Sequence, residues 1–258
     1  MGGVLEAVLF DLDGTLMDHD SARVAGLAAH LGERLPEAQA QELAQLDGEW
    51  RRLEALHYDQ YARGECTFQE QRRRRVRGLH AWLGLAAPSD ADADAWFSDY
   101  LLHYRARWRA FDDALPAIQA LAAAHPQMVF GVVTNGEGDP QRAKLAAIGL
   151  AERFQLVVAS GEAGVAKPDR EIFLLACRRL GVEPEGAAHV GDRLDLDARG
   201  AGAAGLRGVW LDRPGAVHPP SASALAQGSG LAPGPGLAPG SGIARIATLH
   251  ELPGALAG

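Results

Sequence analysis

Two aspartates stand close together directly after the first apolar run of the chain. The sequence "AVLFDLDGTLMD" places Asp11 and Asp13 two residues apart, after the apolar stretch 7–10. Two carboxylates at this spacing repel each other, so a metal ion, a shared proton or reaction chemistry has to offset the repulsion. Gly14 allows a sharp turn that brings a backbone N–H towards an anion. The alternative interpretation is an ordinary Asp-Gly turn.

Further polar side chains come at or soon after the ends of three later apolar runs. They are Thr134, Asn135, Lys167, Asp192, Asp195 and Asp197. Carboxylate oxygens suit a divalent cation such as Mg²⁺, whereas a hydroxyl and an ammonium group suit a bound phosphoryl group. The set predicts a reaction on a phosphate ester in which Asp11 attacks phosphorus as a nucleophile. Asp13 would then act first as general acid and later as general base.

Alternating strand and helix patterns predict the scaffold that brings these side chains together. Strands are predicted at 5–10, 128–135, 154–160, 187–192 and 207–211, with helices at 139–148, 169–180 and 195–204. Short apolar strands that alternate with helices indicate an α/β fold, a parallel sheet covered on both faces. Ligands bind beyond the carboxyl ends of the strands in such a sheet, and the candidate residues fall there.

Residues 19–109 have a different texture, and we expect them to form a helical domain inserted after the first strand. This block is rich in Ala, Leu, Arg, Glu and Gln, which favours helices. They are predicted at about 20–33, 38–62, 67–84 and 90–109, the last capped by Ser89 or Asp90. Residues 1–18 and 110–258 would then form the core domain.

The tail of the predicted core domain changes composition again. Residues 214–242 are dense in Pro, Gly, Ala and Ser and carry no charged residue, which predicts a flexible loop. The following "IARIATLHELP" returns to a strand-and-turn pattern. We expect this last segment to dock at the sheet edge.

The net charge, the length of the apolar runs and the cysteine content disfavour several classes of protein. A formal net charge of −8 over 258 residues argues against nonspecific binding to nucleic acid or anionic lipid. No apolar run is long enough to span a bilayer. Cys66 and Cys177 stand far apart and in no metal-binding spacing, which is typical of buried apolar residues in a reducing compartment. We therefore expect a cytoplasmic protein with a small-molecule partner, and the oligomeric state is not indicated.

Four segments resemble, in order, the motifs of the haloacid dehalogenase (HAD) superfamily. They are "DLDGTL", "VVTNG", "KPDREIF" and "GDRLDLDARGAGAAG". In addition, "TNGEGDPQRAKLAAIGL" is similar to the branch with a helical cap inserted after the first motif. That branch includes phosphatases of nucleotides, sugar phosphates and phosphoglycolate. The resemblance implies a Rossmann-like core, Mg²⁺ dependence and hydrolysis of a small phosphomonoester through an aspartyl-phosphate.

The resemblance also implies which acids hold the metal. Asp11 would be both nucleophile and metal ligand, and Asp13 would add its backbone carbonyl as a ligand. Asp192 matches the further metal-ligand acid of the motif. Asp197 matches its second acid, which would act through water or through a neighbouring ligand. The role of Asp195 stays open, and a helix N-cap is the simpler interpretation.

The remaining motif residues would bind the phosphate. The resemblance assigns Thr134 and Lys167 to the phosphoryl group, with Lys167 also counted among the catalytic residues. Asn135 would orient the nucleophile or the substrate, and the turn at Gly14 would present a backbone N–H to the phosphate.

Several alternatives remain open at this point. A phosphomutase would share the whole motif set. A 2-haloacid dehalogenase needs neither a metal nor an acid beside the nucleophile, so Asp13 disfavours it. A regulatory protein that binds phosphate without turnover is disfavoured by the intact acids.

Some conspicuous residues outside the motifs receive simpler interpretations. The arginine run "RRRRVR" at 72–77 is expected to lie on a surface helix, where most of its members face water or pair with acids. His57, Tyr58 and Trp82 are interpreted as packing or surface residues. His19, close behind the first motif, has an open role towards the substrate.

Overall fold

The computed structural model describes residues 4–32, 40–215 and 242–257. These residues divide into two compact units, one built from 4–19, 108–215 and 242–257 and the other from 20–32 and 40–107. The assignment of these units as catalytic core and cap stays a prediction. Most of the predicted loop 214–242 lies outside the described residues.

The first unit is organised around a six-stranded parallel sheet, which confirms the predicted α/β fold. Its strands are β1 (Ala7–Phe10), β2 (Val129–Thr134), β3 (Leu156–Ala159), β4 (Ala187–Gly191), β5 (Arg207–Leu211) and β6 (Ala244–Ile246). Their order is β3-β2-β1-β4-β5-β6. β6 is the predicted edge strand of the "IARIATLHELP" segment. β1 lies centrally and is fully buried, as its apolar sequence requires.

The register of the sheet aligns the strand ends that carry the candidate residues. Phe10 on β1 pairs with Val132 on β2 and with Val190 on β4. Because all three strands are parallel, the residues that follow them emerge at the same edge of the sheet. The first and fourth motifs are thereby neighbours.

The second unit contains most of the first four helices. These are α1 (His19–Gly32), α2 (Ala40–Ala62), α3 (Phe68–Trp82) and α4 (Asp90–Arg105). Ser89 caps α4 by accepting a hydrogen bond from the Asp92 N–H, so the predicted cap is confirmed. Trp50 from α2 packs its ring against Trp96 and Tyr100 from α4. This aromatic cluster gives the helical unit a core of its own.

The arginine run on α3 contains both partly exposed members and one buried member. Arg73 and Arg77 pair with Asp90, as a surface helix would predict. Arg75 is only 5% exposed. Its guanidinium pairs with Glu54 and lies 4.5 Å from the centre of the Trp50 ring. Arg75 thus keeps an acidic partner although it is buried, because one helix face in the run packs on the aromatic cluster.

Several helices of the first unit differ from the sequence-based expectation, and the short helices at 160–163 and 252–256 were not predicted. The helices of this unit are α5 (Ala114–Ala124), α6 (Gly138–Ala147), α7 (Ser160–Ala163), α8 (Arg170–Leu180), α9 (Gly200–Ala203) and α10 (Leu252–Leu256). The sequence did not predict α5, whose Pro116 is tolerated in the first helical turn. The expected helix at 195–204 is a π-helical segment, Leu194–Arg199, that continues into α9.

One apolar cluster of this unit lies between α8 and the sheet. Ile172, Phe173 and Cys177 are buried on one face of α8 and belong to the same apolar cluster as Leu9 of β1 and Val158 of β3. Burial of Cys177 agrees with its interpretation as an apolar residue. Cys66 is only partly buried, so the same expectation is wrong for it.

Candidate active site

A buried lysine joins two carboxylates at the sheet edge. The Lys167 Nζ lies 2.5 Å from Asp11 Oδ1 and 2.7 Å from Asp197 Oδ1. All three residues are buried, with Asp197 at 0% exposure. Buried charges are tolerated when they are paired and hydrogen-bonded. The structure therefore brings the predicted nucleophile, the predicted phosphate-binding lysine and the second acid of the fourth motif into one cluster.

Asp192 completes the acidic group. One carboxylate oxygen from each of Asp11, Asp192 and Asp197 lies within 4.8 Å of the others. Gly14 has φ +87°, and a Cβ there would come within 2.7 Å of Asp192 Oδ2. Glycine is favoured at this position because it adopts a positive φ without strain and because it leaves room for the carboxylate of Asp192. The predicted contact of the Gly14 N–H with phosphate stays a prediction, since that N–H donates to the Met17 carbonyl.

Two residues that were not predicted as site residues link the loops of the acidic group. The Thr15 hydroxyl donates to Asp11 Oδ2 over 3.2 Å and accepts from the Asp192 N–H over 3.1 Å. The Trp210 indole N–H, on β5, donates to the Asp192 carbonyl over 3.0 Å. These contacts hold the first and fourth motifs at a defined separation.

The carboxylate of Asp197 is occupied by donors from the protein. Oδ1 also lies 3.1 Å from His189 Nε2, and Oδ2 accepts from the Arg193 N–H over 2.9 Å. Because Lys167 shares Oδ1, the geometry favours a supporting role in which Asp197 orients Lys167. His189 was not predicted, although a histidine in the apolar strand "AAHVG" is a visible signal.

Asp13 faces α6 rather than Lys167. The Lys144 Nζ lies 2.5 Å from Asp13 Oδ2, and the Gln141 Nε2 lies 3.4 Å from the same oxygen. On the other side, His19 Nδ1 lies 3.8 Å from Asp13 Oδ1. Neither Lys144 nor Gln141 was predicted as a site residue. Their spacing of three places them on one helix face, which was the available signal.

The second motif contributes two residues with different surroundings. Thr134 is buried, and its hydroxyl accepts from the Gln141 Nε2 over 2.8 Å. The Asn135 side chain accepts from the Lys167 N–H over 2.8 Å and donates to the Lys167 carbonyl over 3.1 Å. Asn135 thus fixes the backbone that carries Lys167, and its predicted role towards nucleophile or substrate stays a prediction.

Asp195 does not take part in the cluster. Its exposed side chain pairs with Arg199 one turn along the helical segment. The N-cap position of that segment is Arg193, and no side chain caps it. The N-cap interpretation of Asp195 is therefore wrong.

The pKa values of the acids in the site are shifted in different directions. Burial raises the pKa of Asp11 to about 6, with Asp197 adding to the rise and Lys167 opposing it. Burial, together with Asp11 and Asp197, also raises the pKa of Asp192 well above its ordinary value. Burial acts in the same direction on Asp13, but Lys144 and His19 outweigh it and hold the pKa of Asp13 below its ordinary value.

A divalent cation fits this group of acids. Burial is the largest cause of the raised pKa values of Asp11 and Asp192, and neighbouring carboxylates add to both. A cation beside these acids stabilises their charged forms. Carboxylate oxygens are the ligands that Mg²⁺ prefers. The side chain of Asp13 points to Lys144. Asp13 would therefore contribute only its backbone carbonyl to the metal, and this contribution stays a prediction.

The chain matches the model of the haloacid dehalogenase-like hydrolases over residues 5–205. The chain belongs to that family. This confirms the resemblance of the four motifs and identifies the protein as a hydrolase of HAD type.

Individual relatives of this HAD-type hydrolase are named as phosphatases. The glyceraldehyde 3-phosphate phosphatase of Methanopyrus kandleri is 34% identical over 81% of this chain and 85% of that protein. The phosphoserine phosphatase of Thermus thermophilus is 48% identical over a shorter stretch, 37% of this chain and 39% of that protein. Less than half of the second relative is therefore matched.

Solved structures show the same fold. The HAD-hydrolase YfnB of Bacillus subtilis, bound to magnesium, superposes with a TM-score of 0.74 at 21% identity, covering 99% of this chain and 100% of that one. At this identity the likeness establishes the fold alone. Among the residues that the structure describes, no helix is both long and apolar enough to cross a membrane.

Proposed function

We propose that this HAD-type hydrolase is a Mg²⁺-dependent phosphatase that hydrolyses a small phosphomonoester through an aspartyl-phosphate on Asp11. The observation that carries the proposal is the contact of the Asp11 carboxylate with the Lys167 ammonium at 2.5 Å, beside the carboxylate of Asp192. Such an arrangement presents a nucleophile, a positive charge and cation ligands to one phosphoryl group. The phosphatase names of its relatives support the same reaction.

In the first step, a carboxylate oxygen of Asp11 attacks phosphorus and the bond from phosphorus to the leaving alcohol breaks. Asp13 gives its proton to the departing oxygen. The negative charge of the bound phosphate raises the pKa of Asp13 against the effect of Lys144 and favours the protonated form that this step needs. Lys167 and Thr134 donate hydrogen bonds to the phosphoryl oxygens.

In the second step, water attacks phosphorus of the aspartyl-phosphate and the bond to the Asp11 oxygen breaks. Asp13, now a carboxylate, accepts the proton of that water. Inorganic phosphate leaves, and Asp11 is regenerated. The two carboxylates therefore do different work, which accounts for their close spacing.

The metal would be held by the carboxylates of Asp11 and Asp192 and by the backbone carbonyl of Asp13. When bound, Mg²⁺ neutralises phosphoryl charge and offsets the repulsion between these acids. Lys167 is oriented for the phosphate by Asp197 and by the amide of Asn135.

The substrate class is a small phosphate ester of nucleotide, sugar phosphate or phosphoglycolate type. The relative matched over 85% of its length is named for glyceraldehyde 3-phosphate, which favours the sugar-phosphate end of this range. A cytoplasmic location and the lack of nucleic acid or membrane partners stay predictions beside this proposal.

The proposal is tested by p-nitrophenyl phosphate turnover with Mg²⁺ and with EDTA, followed by a screen of phosphate esters. We expect Mg²⁺-dependent release of inorganic phosphate that Asp11→Asn lowers by at least about 10³-fold, because the nucleophile is lost. Asp139→Asn, at a 96% exposed side chain, is the matched control and should keep wild-type activity. Activity that survives Asp11→Asn, or halide release from a 2-haloacid without metal, would contradict the proposal.

A further inference from the structure

The two lysines of the chain have an unusual distribution. Of the 25 lysines and arginines, only Lys144 and Lys167 are lysines. Each lies 2.5 Å from one of the two aspartates of the first motif, Lys167 from Asp11 and Lys144 from Asp13. At every other Lys or Arg position in this chain, the positively charged side chain is that of arginine. Lysine is a compact point charge, whereas arginine is a planar fork that needs more room. Lys167 has a proposed role on the phosphoryl group, and the position of Lys144 beside Asp13 indicates that it has a role at the site too.

Lys144 is held in a largely buried position. Its side chain is 11% exposed, and that of Asp13 is 26% exposed. Burying a lysine is costly unless it is paired. The segment that carries it, α6, follows directly on the second motif, so the lysine reaches Asp13 from a helix anchored at the same sheet edge.

Gln141 strengthens this arrangement one turn earlier on α6. It is 3% exposed, and its Nε2 lies 2.8 Å from the Thr134 hydroxyl and 3.4 Å from Asp13 Oδ2. A single helix face therefore touches both a predicted phosphate-binding residue and the predicted acid–base residue. A pair that served only helix stability would not need these partners.

The two oxygens of the Asp13 carboxylate are not equivalent. Oδ2 accepts from Lys144 and Gln141, whereas Oδ1 accepts no hydrogen bond from any residue that the structure describes. One oxygen is thus anchored to α6. The other oxygen, Oδ1, is buried and faces His19 Nδ1 at 3.8 Å, and it has no hydrogen-bond donor among the described residues that would have to be displaced before it exchanges a proton.

We propose that Lys144, assisted by Gln141, is a positioning residue that holds Asp13 Oδ2 so that Oδ1 is presented for proton transfer. The inference rests on the proposed function of Asp13 and extends it to α6. Lys144 does not touch the reacting atoms in this assignment. Its effect therefore falls on the steps in which Asp13 gives or accepts a proton, and kcat/KM reports the first of these, the transfer to the leaving group.

Leaving groups of different basicity test this assignment. p-Nitrophenolate departs without protonation, whereas the alkoxide of glycerol phosphate needs a proton from the general acid. The quantity measured is the ratio of kcat/KM for glycerol phosphate to kcat/KM for p-nitrophenyl phosphate. The ratio does not depend on the fraction of folded protein. Each variant is measured at its own pH optimum, so that a shifted titration does not enter the comparison.

We expect Lys144→Met to lower this ratio by about tenfold or more and Asp13→Asn to lower it by about 10²-fold or more. In Lys144→Met, kcat/KM for p-nitrophenyl phosphate should fall by a smaller factor than kcat/KM for glycerol phosphate, because its leaving group needs no proton. Lys144→Gln is the second variant, should the methionine variant not fold, and should lower the ratio too. Arg142→Met is the matched control, since Arg142 lies on the same helix and pairs with Asp139 and Glu162; its ratio should equal that of the wild type.

The outcomes separate this inference from the proposed function. A ratio that Asp13→Asn lowers but both Lys144 variants leave unchanged or raise would overturn the positioning role. Activity that survives Asp11→Asn, or a ratio unaffected by Asp13→Asn, would overturn the proposed function and this inference with it.

A second measurement does not depend on turnover. Because the chain has two lysines, ¹⁵N-lysine labelling yields two side-chain ammonium signals in an NMR spectrum, and Lys144→Met identifies the one from Lys144. Asp13→Asn should shift that signal, and Asp139→Asn should not. A Lys144 signal that is unmoved by Asp13→Asn would overturn the inference.

Discussion

At the scale of single residues, the site is built by sharing charges in a buried space. Lys167 neutralises part of the charge of both Asp11 and Asp197, and His189 adds a contact to Asp197. The pKa of Lys167 is raised because these carboxylates outweigh the effect of burial. The raised pKa favours the charged form of the lysine, as its proposed role on a phosphoryl group requires.

Lys167→Met removes the cation between the two carboxylates. We expect the free energy of unfolding to fall by about 3–5 kcal/mol, because an uncompensated buried charge is left behind. Phosphatase activity should fall by at least about 10²-fold, because a group that stabilises phosphoryl charge is lost. Denaturant unfolding and kcat/KM measure the two effects. Stability equal to that of Arg142→Met, which breaks only exposed ion pairs with Asp139 and Glu162, would contradict the prediction.

At the scale of elements, packing distinguishes residues that are identical in sequence. In the run 72–75 of α3, Arg74 is partly exposed and pairs with Glu70 one turn away, whereas Arg75 is buried against Trp50 and pairs with Glu54. A helix directs successive side chains about 100° apart, so one member of a run can lie in the core while its neighbour lies at the surface.

Arg75→Ala and Arg74→Ala form a matched pair of variants within this run. We expect Arg75→Ala to lower the free energy of unfolding by about 2–4 kcal/mol, since it removes the ion pair of Arg75 with Glu54 and opens space beside Trp50. Arg74→Ala should change it by less than about 1 kcal/mol, as is usual for exposed pairs. Urea unfolding followed by tryptophan fluorescence measures both. Equal effects of the two substitutions would show that the packing of α3 has been misassigned.

At the scale of the whole molecule, the acids of the site affect stability against pH. The pKa of Asp11 is about 6 in the folded protein against an ordinary value of 3.8. Between these values the folded state holds a proton that the unfolded state has lost. Stability contributed by this group is therefore present at low pH and is lost as pH rises through about 6. Burial lowers the pKa of His189 below its ordinary value of 6.5. This group has the opposite effect on stability, because the stability that it contributes is lost as the pH falls.

Comparison with Asp11→Asn isolates the carboxylate from the other titrating groups. In EDTA, the stability of the wild type relative to Asp11→Asn should fall by on the order of 2–3 kcal/mol between pH 4.5 and pH 7.5. Denaturant unfolding at several pH values measures this difference, with Asp139→Asn as the exposed control. A difference that is constant with pH, or that grows in favour of the wild type as pH rises, would contradict the raised pKa.

The sequence by itself determined the type and order of the segments and the residues at the strand ends. Local periodicity of apolar residues identifies strands and helices. Because parallel strands run in the same direction, their carboxyl ends lie at the same edge of the sheet. For this reason Asp11, Asp192 and Lys167 could be assigned to one edge of a parallel sheet before any distance was known. The helix α5 could not be assigned, because an apolar segment with an early proline is ambiguous.

Only the tertiary structure decided which side chains from distant segments touch. Lys144 and Asp13 are 131 residues apart, and Lys167 and Asp197 are 30 apart. Periodicity shows which face of an element is apolar, but it carries no information on the partner that a polar side chain meets. The pairing of Lys144 with Asp13, the support of Lys167 by Asp197 and the burial of Arg75 depend on how elements pack, and packing is set by contacts summed over the whole fold.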